Sequence, residues 1–213
     1  MTARAVLLLL AALLPLGARA AQLNLATLSC DKYENEIVGS IGAPAGAGPV
    51  AATPGAPGPA MGKAPSRPLD AIDTVMWLFG YSVGKAGEHL MYGGDALTSF
   101  GFALDAECKD NPSTSLLEAI GVVKPNRDKP MDLMTLNCAT FESRHAESSR
   151  TDPDSANTIM MWLYGYSVGQ SGSHLFDPSG VNAFAGALQI RCQQHSGESL
   201  YETLSALKGG PTH

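Results

Sequence analysis

The sequence predicts an all-α protein built as two tandem small disulfide-bonded helical units, the first interrupted by a disordered Gly/Pro/Ala-rich insertion. Three observations carry this. The block MWLFGYSVGKAGEHL from Met76 returns as MWLYGYSVGQSGSHL from Met161, identical at eleven of fifteen positions. Apolar residues around both copies recur at helical spacing, as in Leu97, Phe100, Gly101, Leu104 and Cys108, which follow an i, i+3, i+4, i+7, i+11 pattern. The order Cys, Trp, Cys is written twice, as Cys30, Trp77, Cys108 and Cys138, Trp162, Cys192.

From the start, residues 1–20 read as a secretory signal: Arg4 in a positive n-region, an apolar run from Ala5 to Leu14, and a small-x-small step at Ala18-Arg19-Ala20. The run is too short for a membrane helix, which takes roughly 20 apolar residues. Cleavage removes two of the 14 Lys and Arg and none of the 20 carboxylates, so 12 cations face 20 anions and the net charge becomes −8. An exported acidic chain is expected to bind no nucleic acid and, after cleavage, no membrane. Export is expected from the signal.

The first unit is expected over residues 21–121. LNLATLSC, ending at Cys30, matches MDLMTLNC, ending at Cys138. Between Cys30 and Trp77 the first copy is longer, because residues 39–68 hold 22 Gly, Pro or Ala out of 30 and have little to bury. Beyond the insertion Ile72, Met76, Phe79 and Val83 share one helical face. The glycines 80, 84 and 87, repeated as 165, 169 and 172, form a stripe that lets another backbone come close. Ser115/Glu118 and Ser199/Glu202 are spaced as capping boxes, and Asp70/Asp73 and Asp152/Asp154 as helix caps and first-turn charges. Residues 122–130 read as a linker, 131–208 as the second unit and 209–213 as a disordered tail. No segment shows strand alternation.

A unit of about 70 ordered residues has a thin core, and four cysteines in an exported chain read as disulfides. Three pairings are open. Pairing within each repeat is expected, since each unit must have been complete before it was duplicated. The chemistry-bearing patterns are weak. G-x-S-x-G occurs around Ser82 and Ser167, but a nucleophile elbow needs a preceding strand and the spacing here is helical, so no catalytic residue is assigned. HExxH and a phosphate loop are absent, and neither a metal nor a cofactor is called. Trp77, Phe79, Tyr81, Phe100, Trp162, Tyr164, Tyr166 and Phe184 are the candidate apolar packing or client-binding surface. His89 and His174, at equivalent places after the glycines, are the candidate pH sensors.

The block MWLxGYSVG set between two cysteines resembles the HdeA/HdeB family of periplasmic acid-stress chaperones, over nearly all of the chain outside the signal and insertion, in two copies. The resemblance implies a disulfide-bonded helical protein that loosens in acid and holds unfolded periplasmic proteins as clients, without ATP. Fusion of two copies departs from the family and implies an intramolecular pseudo-dimer. The G-Y-x-x-G helix with a downstream Cys also resembles small periplasmic immunity proteins that inhibit cell-wall amidases, which makes a dedicated partner-binding role the alternative. Below about pH 3 most carboxylates are neutral, and 12 Lys and Arg with five His would give about +17.

Overall fold

The computed structural model describes residues 22–38, 71–124 and 130–208; the expected signal, insertion and tail lie outside them. The described chain is mostly helical. In order it forms β1 (Leu23–Asn24), α1 (Cys30–Lys32) running into a π-helical turn (Tyr33–Val38), α2 (Ala71–Lys85), β2 (Leu90–Met91), α3 (Gly94–Asp110) and α4 (Leu116–Val122). The same order of elements then recurs as β3 (Met131–Asp132), α5 (Cys138–Thr151), α6 (Pro153–Ser171), β4 (Leu175–Phe176), α7 (Gly180–Gln194) and α8 (Leu200–Ala206). Val122, expected in the linker, instead closes α4.

Local chemistry sets the helix ends. Both capping boxes form: the Ser115 and Ser199 hydroxyls accept from the Glu118 and Glu202 amides, and each glutamate reaches back to the serine backbone. Asp152 caps α6 by accepting from the Ser155 amide, with Pro153 in the first turn. Gly172 closes α6 in the left-handed region at φ 76°, and Gly87 holds the same conformation just after α2 at φ 72°. These two glycines therefore do not belong to the packing stripe. They are where the backbone turns, in a region that side chains disfavour.

Disulfides join Cys30 to Cys108 and Cys138 to Cys192, tying α1 to α3 and α5 to α7. The core is continuous, and its centre is the α2–α6 pair. At Gly80 and Gly84 an added Cβ would fall 2.1 Å from the carbonyl oxygens of Trp162 and Tyr166. At Gly165 and Gly169 it would fall 2.1 and 2.3 Å from those of Trp77 and Tyr81. Each helix thus rests on the other's backbone, as four small positions at helical spacing allow.

Two expectations need correction. Strands are present among the described residues, four of them, each of two residues and so too short to show alternation. They pair antiparallel across the repeats, β1 with β4 (Leu23 opposite Phe176) and β2 with β3 (Leu90 opposite Asp132). Ile72, expected on the buried face, is 61% exposed. The middle of α2 is enclosed on nearly every side, as is Met160–Gly169 of α6, so no single apolar stripe marks the inward face.

Candidate functional site

The region where the two repeats meet gathers most of the residues the sequence singles out. Trp77 stacks on Tyr81 with ring centres 5.4 Å apart, and it meets Phe176 at 4.5 Å and Tyr164 at 6.4 Å from the other repeat. Trp162 stacks on Tyr166 at 5.2 Å. Phe79 packs on Phe100 at 5.0 Å, and Tyr164 on Phe184 at 5.4 Å. All eight candidate aromatics are buried, none more than 5% exposed. In this closed form they are core, and none offers a surface to a client. The indole N–H groups of Trp77 and Trp162 find no hydrogen-bond partner, although a buried donor left so costs about 1–3 kcal/mol.

Polar groups line two seams around this core, one at each strand pair. At the β1–β4 seam the Leu25 amide donates to the His174 carbonyl at 2.9 Å, and Tyr81 Oη lies 2.8 Å from His174 Nδ1. Gln22 Nε2 donates to Asp177 Oδ2 at 2.9 Å. Burial pushes the Asp177 carboxyl up, but hydrogen bonds from Ser179, Gln22 and Gly180 outweigh it and hold it below the ordinary range. Burial raises the Tyr81 phenol, so it stays a neutral hydroxyl.

The β2–β3 seam is built differently. The Leu133 amide donates to the His89 carbonyl at 2.8 Å, but Tyr166 donates to the Glu88 carbonyl at 2.7 Å rather than to a histidine. His89 is exposed, its Nε2 4.0 Å from Asp132 Oδ1 and its ring 6.2 Å from Tyr201. Both candidate histidines therefore sit where one repeat crosses to the other, and only His174 meets a buried phenol.

Four further polar groups sit in settings that the sequence did not reveal. Asp73, expected as a first-turn charge, is buried at 2% exposure and accepts from Asn157 Nδ2 of α6 at 3.1 Å. His145 is buried against Phe141, and burial holds its imidazole below the usual histidine range. Glu198 takes both Nε and Nη2 of Arg191, at 3.0 and 2.6 Å, which lowers its carboxyl. Glu34 runs the other way: burial and the neighbouring Asp105 push it up.

Catalytic geometry is missing at both G-x-S-x-G motifs. Ser82 and Ser167 lie within helices, and their hydroxyls donate to the carbonyls of Phe79 and Leu207. Among the described residues no cluster of three or more His, Cys, Asp or Glu is placed to hold a metal ion, and no helix is long and apolar enough to cross a membrane. Comparison with known protein families, with curated proteins and with solved structures found no match to this chain.

Proposed function

We propose that the protein is a periplasmic, ATP-independent holding chaperone, closed at neutral pH and opened by acid to bind unfolded clients. One observation carries the reading: an aromatic core shared by both repeats is enclosed by seams whose contacts include titratable groups. At neutral pH the repeats act as two halves of an intramolecular pseudo-dimer that hide their apolar faces on each other.

The signs of the pH terms follow from the direction of each shift. Asp177 and Glu198 have lowered carboxyl values when folded, so their stabilisation is present above the ordinary carboxylate range and is lost as pH falls through their folded values. His145 is also lowered, so the unfolded chain takes up its proton first and stability falls as pH drops below about 6.5. Glu34, with a raised value, opposes the trend: its protonation favours the fold. Asp177 acts at the β1–β4 seam itself, while His145 and Glu198 lower the stability of the second repeat, and self-repulsion of a chain approaching +17 adds to them. The two disulfides limit how far each repeat can expand.

The test measures binding of a hydrophobic dye together with light scattering of acid-unfolded periplasmic proteins, from pH 7 to pH 2, at two chain concentrations about tenfold apart. Dye binding and suppression of scattering should rise together as the carboxylates titrate below about pH 4, with little effect of concentration because the halves are covalently joined. If neither changes, the acid-chaperone reading fails and a partner-binding role at neutral pH replaces it.

A further inference from the structure

Where the repeats meet, the buried phenols are paired and the buried indoles are not. Tyr81 Oη lies 2.8 Å from His174 Nδ1, Tyr164 donates to the Asp177 carbonyl at 3.1 Å, and Tyr166 donates to the Glu88 carbonyl at 2.7 Å. Trp77 and Trp162 stand one helical turn before Tyr81 and Tyr166 and are at most 1% exposed, yet neither Nε1–H reaches a protein acceptor. Both sit at the closest approach of α2 and α6, since the backbone carbonyl of Trp77 faces Gly165 and that of Trp162 faces Gly80. Rings pack on both: Tyr81, Tyr164 and Phe176 on Trp77, and Tyr166 on Trp162. The titratable side chains in ring contact with the indoles are thus phenols, which burial keeps neutral. Each repeat carries the same unmet donor in the same place.

We infer that the two indole N–H groups are a bias toward opening built into the α2–α6 pairing: each lowers the stability of the closed form, and together they set how little acid is needed to part the repeats. An indole has a donor and no acceptor. In the closed form that donor is stripped of water without a replacement, which costs free energy; once the repeats part, water accepts it. The ring acts in the opposite sense, because its apolar area and its stacking favour closure. The same side chain therefore holds the repeats together through its carbon surface and loosens them through one nitrogen. This bias does not titrate. It is a constant offset beside the pH-dependent losses at Asp177, Glu198 and His145, so it moves the midpoint of opening, whereas the steepness depends on the protons taken up. The inference rests on the proposed acid opening and names what tunes it.

The test replaces Trp77, Trp162 or both, in the full mature chain, by 3-benzothienylalanine, in which sulfur stands where the N–H was and the shape of the ring is kept. Urea unfolding at pH 7 reads the stability of the closed form, and the midpoint of hydrophobic-dye binding between pH 7 and pH 2 reads opening. Each single replacement should raise the folding equilibrium constant about five- to 100-fold, the factor for one buried unmet donor. It should also move the dye midpoint to lower pH at unchanged steepness, and the double replacement should move it further. Equal or lower stability of the replaced chains would mean that a ring face or a buried water already accepts the N–H, and overturns the inference. A stabilised chain whose dye midpoint stays in place overturns it as well. If the wild-type chain binds no dye at any pH, acid opening itself fails and the bias has nothing to act on. That result is distinct from a wild-type chain that opens at the same pH as its replaced counterparts, which refutes the bias alone.

Discussion

Alanine at Gly80 or Gly165 should destabilise the protein even though alanine is the better helix residue. In an open helix the exchange is favourable by about 1 kcal/mol. At these two positions the new methyl would lie 2.1 Å from a carbonyl oxygen of the opposing helix, more than 1 Å inside an ordinary carbon–oxygen contact of roughly 3.4 Å. The obstacle is backbone, which cannot rotate aside, so α2 and α6 must separate along the crossing. Overpacking costs about 1–3 kcal/mol where side chains can adjust. With rigid backbone and loosened ring packing of Trp77 against Phe176, a net loss of roughly 2–4 kcal/mol remains after the propensity gain. For a chain of this size that lowers the melting temperature by about 5–15 °C. Gly121→Ala is the internal control. It lies in α4 with open space at its Cβ and should stabilise by about 0.5–1 kcal/mol. Urea denaturation of the three variants, compared by midpoint at equal slope, reads the sign directly. A stabilised Gly80→Ala chain would mean that the helices do not meet through their backbones and that the packing derived above is wrong.

Three other outcomes follow from the same contacts. Reduction removes bridges that close spans of 78 and 54 residues, worth about 4 kcal/mol each by chain entropy, and should abolish cooperative unfolding in circular dichroism at neutral pH. His145→Leu should flatten the loss of stability as pH falls below about 6.5; an unchanged slope in pH-resolved melting would remove His145 from the acid response. Glu198→Gln breaks the two-pronged contact with Arg191 and should lower stability by about 1 kcal/mol at pH 7. The difference from wild type should shrink as pH falls through the lowered native carboxyl value.

Much of this could be read from the residues because local chemistry decides it. The Ser-x-x-Glu spacing at 115 and 199 is enough to form a capping box in any setting. The glycines at 80, 84, 165 and 169 announce a close backbone approach, though a stripe of small residues does not name the helix it receives. What escaped depends on contacts far apart in the chain. Strand Leu23–Asn24 pairs with Leu175–Phe176, and two residues hold no periodic signal. Asp73 looks like any first-turn acid until Asn157 is placed beside it. Gly87 and Gly172 continue the glycine spacing but serve the turns that end the two helices, a role visible only in their φ angles. His145 reads as a polar residue of a surface helix because nothing nearby in sequence indicates that Phe141 and the body of the protein cover it.

The seams break the near-symmetry of the repeats, and that break orders the events of acid opening. At the β1–β4 seam the titratable groups sit in short contacts: His174 Nδ1 at 2.8 Å from the Tyr81 hydroxyl, and Asp177 bonded by Gln22 and by Ser179. Protonation of Asp177 removes the charge from a carboxylate that Gln22, Ser179 and Gly180 favour. At the β2–β3 seam Tyr166 is held by a backbone carbonyl, which does not titrate, and the His89–Asp132 contact is exposed and 4.0 Å long, so its loss costs little. Acid should therefore loosen the β1–β4 seam first. Phe176, within that seam, covers Trp77 at 4.5 Å, so Trp77 should reach water before Trp162. Single-tryptophan chains separate the two: Trp162→Phe leaves Trp77 as reporter, and Trp77→Phe leaves Trp162. The emission of Trp77 should shift to the red at a pH higher by about half a unit or more than that of Trp162, with unfolding midpoints in urea at pH 7 used to match the stabilities of the two variants. A difference of half a unit corresponds to about 0.7 kcal/mol for one proton, within what a single hydrogen-bonded carboxylate supplies. Coincident shifts in stability-matched chains would show that the core opens in one step and that the seams are not separate latches.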